Sequence, residues 1–161
     1  MGFFSEEEQQ AFAGCVGDLN ARSQVQRLRQ FRHHRSGSRY DHVVLVAYLS
    51  FVLARRFHWD SQAAARAGLL HDLFWSDCDR SWKLCMHHPE QALENANKLT
   101  QLSPKEQNII LSHMWPVGRH LPRYREAWLV DAMDDLVAIL DMLGISRRLR
   151  RRMTLAVNAY A

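Results

Sequence analysis

The sequence predicts an all-α fold, a compact bundle of about six to seven helices built from 161 residues as one domain. Three observations predict it. Gly (7) and Pro (4) are few, which disfavours a turn-rich sheet protein. Apolar residues recur at helical spacing in one segment after another. The connections between those segments are short and polar, as bundles require. A composition 47% hydrophobic and 24% charged supplies a core and argues against disorder.

Residues 5–32 carry Phe12, Val16, Leu19, Val25 and Leu28 on one side, predicting a single amphipathic helix. Residues 33–38, HHRSGS, form a polar break. Tyr40 to Phe57 is apolar on nearly all sides, which marks a central, buried element. Its valines would suit a strand, but its length favours a helix. Asp60 or Ser61 can cap a short helix ending near Leu70. Residues 75–87 read as irregular. Pro89 suits the first turn of a helix reaching Leu99. Ser103-Pro104-Lys105-Glu106 is a capping box that starts a helix running to about Met114. Trp115 to Arg123, with two Pro and a Gly, is a loop. Tyr124 to Leu143 is a clear amphipathic helix stopped by Gly144, and a basic helix over 146–161 closes the chain. The domain core therefore spans about 39–143, flanked by the two terminal helices.

The formal charge of +4 owes much to one run, Arg147, Arg148, Arg150, Arg151 and Arg152. No nucleic-acid motif accompanies it, so it reads as a solvated helix face and no nucleic-acid partner is expected. Three cysteines without a C-x-x-C pair argue against a disulfide framework and suit a reducing cytoplasm. The opening MGFFSEEEQQ is too acidic for a secretory leader. The apolar run Val43–Ala54 is too short to span a bilayer and is followed by Arg55-Arg56. The expectation is a cytoplasmic chain with no membrane partner; a homodimer is compatible with the sequence.

Histidines and aspartates are placed as packing alone does not require. They are His42 at the head of the buried helix, the His71-Asp72 doublet, His88, His113 and Asp134. Neighbouring helical residues diverge by about 100°, so His71 and Asp72 can face one point only where their helix ends. Asp134 sits among Val130, Met133 and Val137, where an unpaired carboxylate would cost several kcal/mol. Asp131 and Asp135 are near enough to serve instead; helical phase, together with the register of the family resemblance given below, prefers Asp134. A shared divalent cation would compensate these groups. Mixed imidazole and carboxylate ligation suits Mn, Fe, Co, Ni or Zn, one or two per chain, better than Ca or Mg. The absence of Cys argues against a closed structural zinc site.

The ordered set His42, His71-Asp72 and Asp134 resembles the H…HD…D signature of the HD superfamily of metal-dependent phosphohydrolases. The resemblance covers about Arg39 to Leu140 and takes in RYDH (39–42), AARAGLLHDLF (64–74), HPEQALENA (88–96), SHMWP (112–116) and YREAWLVDAMDD (124–135). It implies an HD-domain helical bundle and hydrolysis, through a metal-activated water, of a nucleotide or other small phosphate ester. It implies metal ligation by His42, His71, Asp72 and Asp134. His88 and His113 resemble the extra ligands of binuclear members such as HD-GYP phosphodiesterases, in which Asp72 would bridge the metals. The chain lacks a G-Y-P element and reads Leu73-Phe74-Trp75 where HDIG-type members have Ile-Gly and a basic residue.

Asp72 is the candidate for handling the proton of the attacking water. Arg39, three residues before His42 and on the same helical side, is the candidate phosphate clamp and catalytic cation. Lys83 and His120 are further candidates for substrate binding. A reading of a different class is a non-hydrolytic nucleotide-binding or regulatory module that keeps the metal only to hold its fold.

Overall fold

The computed structural model of the protein describes residues 5–32, 37–75 and 86–160. Helix α1 (Glu6–Asn20) starts at Ser5, whose hydroxyl accepts from the Glu8 N–H, and Glu6, Glu7 and Glu8 favour the positive end of the helix. The single helix expected over 5–32 is broken. Arg22 turns to an extended conformation, followed by α2 (Ser23–Gln26) and a 3₁₀ turn (Arg27–Gln30). Asn20 explains the break: its carbonyl accepts from the Gln26 amide at 2.6 Å and its side chain accepts from the Tyr40 hydroxyl at 2.6 Å. These bonds replace the ones a continuous helix would supply.

Helix α3 (Arg39–Arg56) opens with a capping box, Ser38 with Asp41, and is buried over most of its length, as its apolar sequence predicts. It stops in a Schellman arrangement with Trp59 N–H on Ala54 O (2.8 Å) and His58 at φ 55°, where glycine is usual. Asp60 caps α4 (Ser61–Leu70) by accepting from the Ala63 N–H. Then follow α5 (His88–Leu99), with Pro89 in its first turn, and α6 (Pro104–Ser112), with the Ser103–Glu106 capping box. Helix α7 (Arg125–Met142) ends at Gly144, whose φ of 73° favours glycine, and α8 (Arg147–Tyr160) closes the chain. The described residues contain eight helices and no strand, so the fold is all-α.

Helix α3 is the axis of the bundle. It packs most extensively on α4, then on α7 and α8, while α4 also meets α1, α6 and α7. The α3–α4 seam is close because Gly68 faces Ala47: a Cβ at 68 would lie 2.9 Å from the Ala47 Cα. The core includes Tyr40, Tyr48, Leu45, Leu69, Leu70, Ile109 and Ile110, all fully buried. Among the described residues no helix is long and apolar enough to cross a membrane.

Candidate metal centre

The six residues singled out as ligands come from five helices, or their immediate ends, that the fold brings to one point. His42 is one turn into α3, His71 is the C-cap of α4 with Asp72 just beyond it, and His88 begins α5. His113 is the C-cap of α6, and Asp134 lies midway along α7. Because α4 stops at Leu70, His71 and Asp72 escape the helical phase that would have splayed them. Their turn is pinned from two sides: Arg39 Nη1 donates to Phe74 O (2.6 Å) and Asn95 Nδ2 donates to Leu73 O (2.9 Å).

Five of the side chains form two groups that meet at His71, and His88 joins the second through Asp72 and His113. In the first, Asp134 Oδ1 lies 2.7 Å from His42 Nε2 and 3.5 Å from His71 Nε2. In the second, Asp72 Oδ1 lies 3.1 Å from His88 Nε2 and 3.6 Å from His113 Nε2, and those two nitrogens are 2.7 Å apart. All but Asp134 are buried, and Asp134 is 18% exposed.

Two backbone carbonyls decide which ring nitrogens face inward. His71 Nδ1 sits 2.7 Å from Gly68 O and His113 Nδ1 2.7 Å from Ile110 O. A carbonyl only accepts, so each Nδ1 carries a proton and Nε2 is the ring nitrogen turned to the centre. His71 Nε2 is buried and makes no hydrogen bond.

The charges of the two groups differ. Burial disfavours a charged His42, but Asp134 and Asp141 outweigh it and lift its pKa to about 9. Burial would raise the Asp134 carboxyl, yet His71 and His42 hold it well below the usual carboxylate range. His113 goes the opposite way. Burial, reinforced by His71 and His88, pushes it down to about 3, so it is neutral at pH 7.

These residues fit a divalent ion. Metal–nitrogen bonds of about 2.1 Å put neighbouring ligand atoms roughly 3.0–3.4 Å apart; the ligand atoms of each group of three lie within 4.8 Å of one another, and the hydrogen-bonded pairs at 2.7 Å would part as an ion enters. The inward lone pairs and the unbonded His71 Nε2 are what a cation would satisfy. Of the alternatives to Asp134, Asp131 is buried with its Oδ1 unbonded and Asp135 is exposed; neither joins the two groups.

The predicted substrate residues are placed differently. Arg39 is 3% exposed, with its guanidinium over the Phe74 ring (3.7 Å) and bonded to the Phe74 carbonyl, so it braces the turn after Asp72. His120 pairs with Glu90 at 3.0 Å, beside a cavity of about 230 Å³ lined by Asn108, Leu111, Leu121 and Arg123. Lys83 lies outside the described residues.

Two residues of the site escaped the sequence reading. Asn95 is seven residues after His88, hence on the same side of α5, and that spacing is the signal for it. Asp141, fully buried, is seven residues after Asp134 and comes within 3.8 Å of His42 Nδ1 through Oδ2. It also accepts from Arg150 Nη1 (2.9 Å) and from the Ser146 hydroxyl. The basic run at the C-terminus is therefore not uniformly a solvated face: Arg150 is buried, whereas Arg148 and Arg151 are exposed. Comparisons with protein-family models, with curated proteins and with solved structures gave no match, so geometry and chemistry carry the functional argument.

Proposed function

We propose that the protein is a metal-dependent phosphohydrolase of HD type, acting on a nucleotide or another small phosphate ester. The observation that carries this reading is the convergence of inward Nε2 lone pairs on two carboxylates, with His71 Nε2 buried and unbonded between the groups. The proton on His42 satisfies Asp134, but nothing bonds His71 Nε2; a cation would supply what is missing there. His42, His71 and Asp134 would hold one ion, and His71, Asp72, His88 and His113 border the place for a second. A divalent ion bound there supplies Lewis acidity, lowering the pKa of a water and offsetting charge on the phosphoryl group.

The chain's own residues divide the remaining tasks. Asp72, 5% exposed, is positioned by Arg39 and Asn95 to accept a proton from a water at the centre. His113, held neutral, serves as a ligand and not as a cationic contact for phosphate. Backbone carbonyls of Gly68 and Ile110 keep two rings in the ligating tautomer.

A second reading, a nucleotide-binding module that keeps the metal only for its fold, is favoured by one observation: Arg39 is engaged by Phe74 and not left to clamp a phosphate. Turnover separates the two. With Mn added, the protein is expected to hydrolyse p-nitrophenyl phosphate or bis-p-nitrophenyl phosphate, and Asp72→Ala to lose both the rate and the metal measured by elemental analysis. Metal uptake without turnover selects the second reading; full metal and full rate in Asp72→Ala reject both.

A further inference from the structure

The last turn of α7 and the C-terminal helix form a polar cluster that the ligand set does not use. Asp134 and Asp141 are two helical turns apart on the same side of α7. Between them they address both nitrogens of one imidazole: Asp134 Oδ1 is 2.7 Å from His42 Nε2, and Asp141 Oδ2 is 3.8 Å from His42 Nδ1. His42 and Asp141 are fully buried and Arg150 is 3% exposed. Ser146, the residue just before α8, donates to Asp141 Oδ1, and Arg150 Nη1 donates to Oδ2.

Helix α8 is docked around that contact by residues four apart. Arg150 reaches Asp141, Thr154 Oγ1 donates to Asp41 Oδ1 at 2.8 Å, and the Tyr40 hydroxyl lies 3.2 Å from Asn158 Oδ1. All three fall on one side of α8, and the last two meet the first turn of α3, directly before His42. The Arg150 guanidinium lies over Gly37, where a Cβ would come within 2.5 Å of Nη1.

We propose that Asp141 is the positioning carboxylate of His42, and that α8, through Arg150 and Ser146, sets how tightly the centre holds its ion. The proposal rests on the metal-centre reading above. At 3.8 Å, an ion-pair distance, a carboxylate facing Nδ1 favours the tautomer with the proton on Nδ1 and the Nε2 lone pair on the ion, and it makes the ring a stronger donor. A role confined to stability explains less. Buried ion pairs are often replaceable by apolar groups without loss, and nothing in such a role requires the pair to sit against a ligand.

Titration with Co(II), followed by its visible absorption in competition with a chelator, tests this alongside thermal melts of the metal-free protein. Asp141→Asn keeps the shape and can still accept from Ser146; it is expected to bind Co(II) about 10- to 100-fold more weakly, with an altered absorption band. Thr154→Val loosens the same helix through Asp41 and is expected to lower the melting temperature while leaving Co(II) affinity unchanged. Wild-type affinity and spectrum in Asp141→Asn overturn the proposal, as does an affinity loss in Thr154→Val that matches its loss of stability. Should Asp141→Asn not fold, Ser146→Ala decides: weaker Co(II) binding supports the proposal and unchanged binding overturns it. A wild-type protein that binds no Co(II), Mn or Zn fails at the centre itself, which is a different result from wild-type binding with no effect of Asp141.

Discussion

The two groups that share His71 solve one electrostatic problem in opposite ways. On the α7 side, His42 is enclosed by Asp134 and Asp141 and carries a proton to about pH 9. That group compensates its buried carboxylate with a proton. On the α5–α6 side, His88 and His113 bring their Nε2 atoms to 2.7 Å beside a single carboxylate oxygen, and His113 stays neutral. There burial keeps His113 unprotonated at neutral pH. The difference teaches that similar ligand types can make one site that must lose a proton before an ion enters and one that is ready for it.

The largest effect is expected where the groups meet. His71 offers one lone pair, its Nδ1 being held by Gly68 O, so His71→Ala should cost one ion outright and weaken the other by opening the wall they share, whereas His42→Ala and His88→Ala should each remove only the ion of their own group. Elemental analysis of the three purified variants reads this directly, and equal losses in all three would erase the distinction.

Acidity sharpens it further. An ion at His42 competes with a proton bound up to about pH 9, so affinity there should fall by about tenfold per pH unit below that value. At His113, whose pKa lies near 3, this competition is absent. Calorimetric titration with Mn is therefore expected to approach one ion per chain near pH 6 and two near pH 9. Stability of the metal-free protein follows the opposite sign. The folded pKa of His42 is raised above 6.5, so its contribution is fully present below pH 6.5 and is lost as pH rises through 9. Melts in chelator should move down over that window.

A smaller effect should follow from Asn95→Ala, which frees the Leu73 carbonyl and loosens the turn that aims Asp72. Loss of about 1 kcal/mol of stability and weaker binding at the α5–α6 group alone are expected, measured by denaturation and by metal titration. The smallest concerns Asp131. Burial, then Asp135 and Asp134, raise its carboxyl to about pH 7, so its neutral form is the one the fold accommodates. Its contribution is present below pH 3.8 and lost as pH rises through 7. Asp131→Asn should thus melt a few degrees higher than wild type at pH 8 and no higher at pH 4.

What the sequence made legible follows from local rules. The doublet needed a helix end, and α4 ends at Leu70. Ser103 and Glu106 had the spacing of a capping box, and they form one. Helical phase put Asp134 inward, ahead of Asp135. Contacts between distant segments were less legible. Asn20 ends α1 because of Gln26 and Tyr40, and no apolar period registers such a bond. Arg39 looked free to clamp phosphate because the carbonyl it serves belongs to a turn 35 residues on. Arg150 was hidden in a run of arginines, and Asp141 looked like any acid near the end of a helix; only their meeting under His42 gives either a distinct role.

Gly68 carries a consequence beyond its own packing. It lets the backbones bearing His42 and His71 approach until no methyl would fit between them, and its carbonyl fixes the ring of His71. The span across which those two helices can reach a common guest is thus governed by a residue with no side chain. Ion radius is selected by such spans. Choice among divalent metals in the proposed centre should therefore be tunable from this seam, by widening it with an alanine, while every coordinating atom keeps its identity.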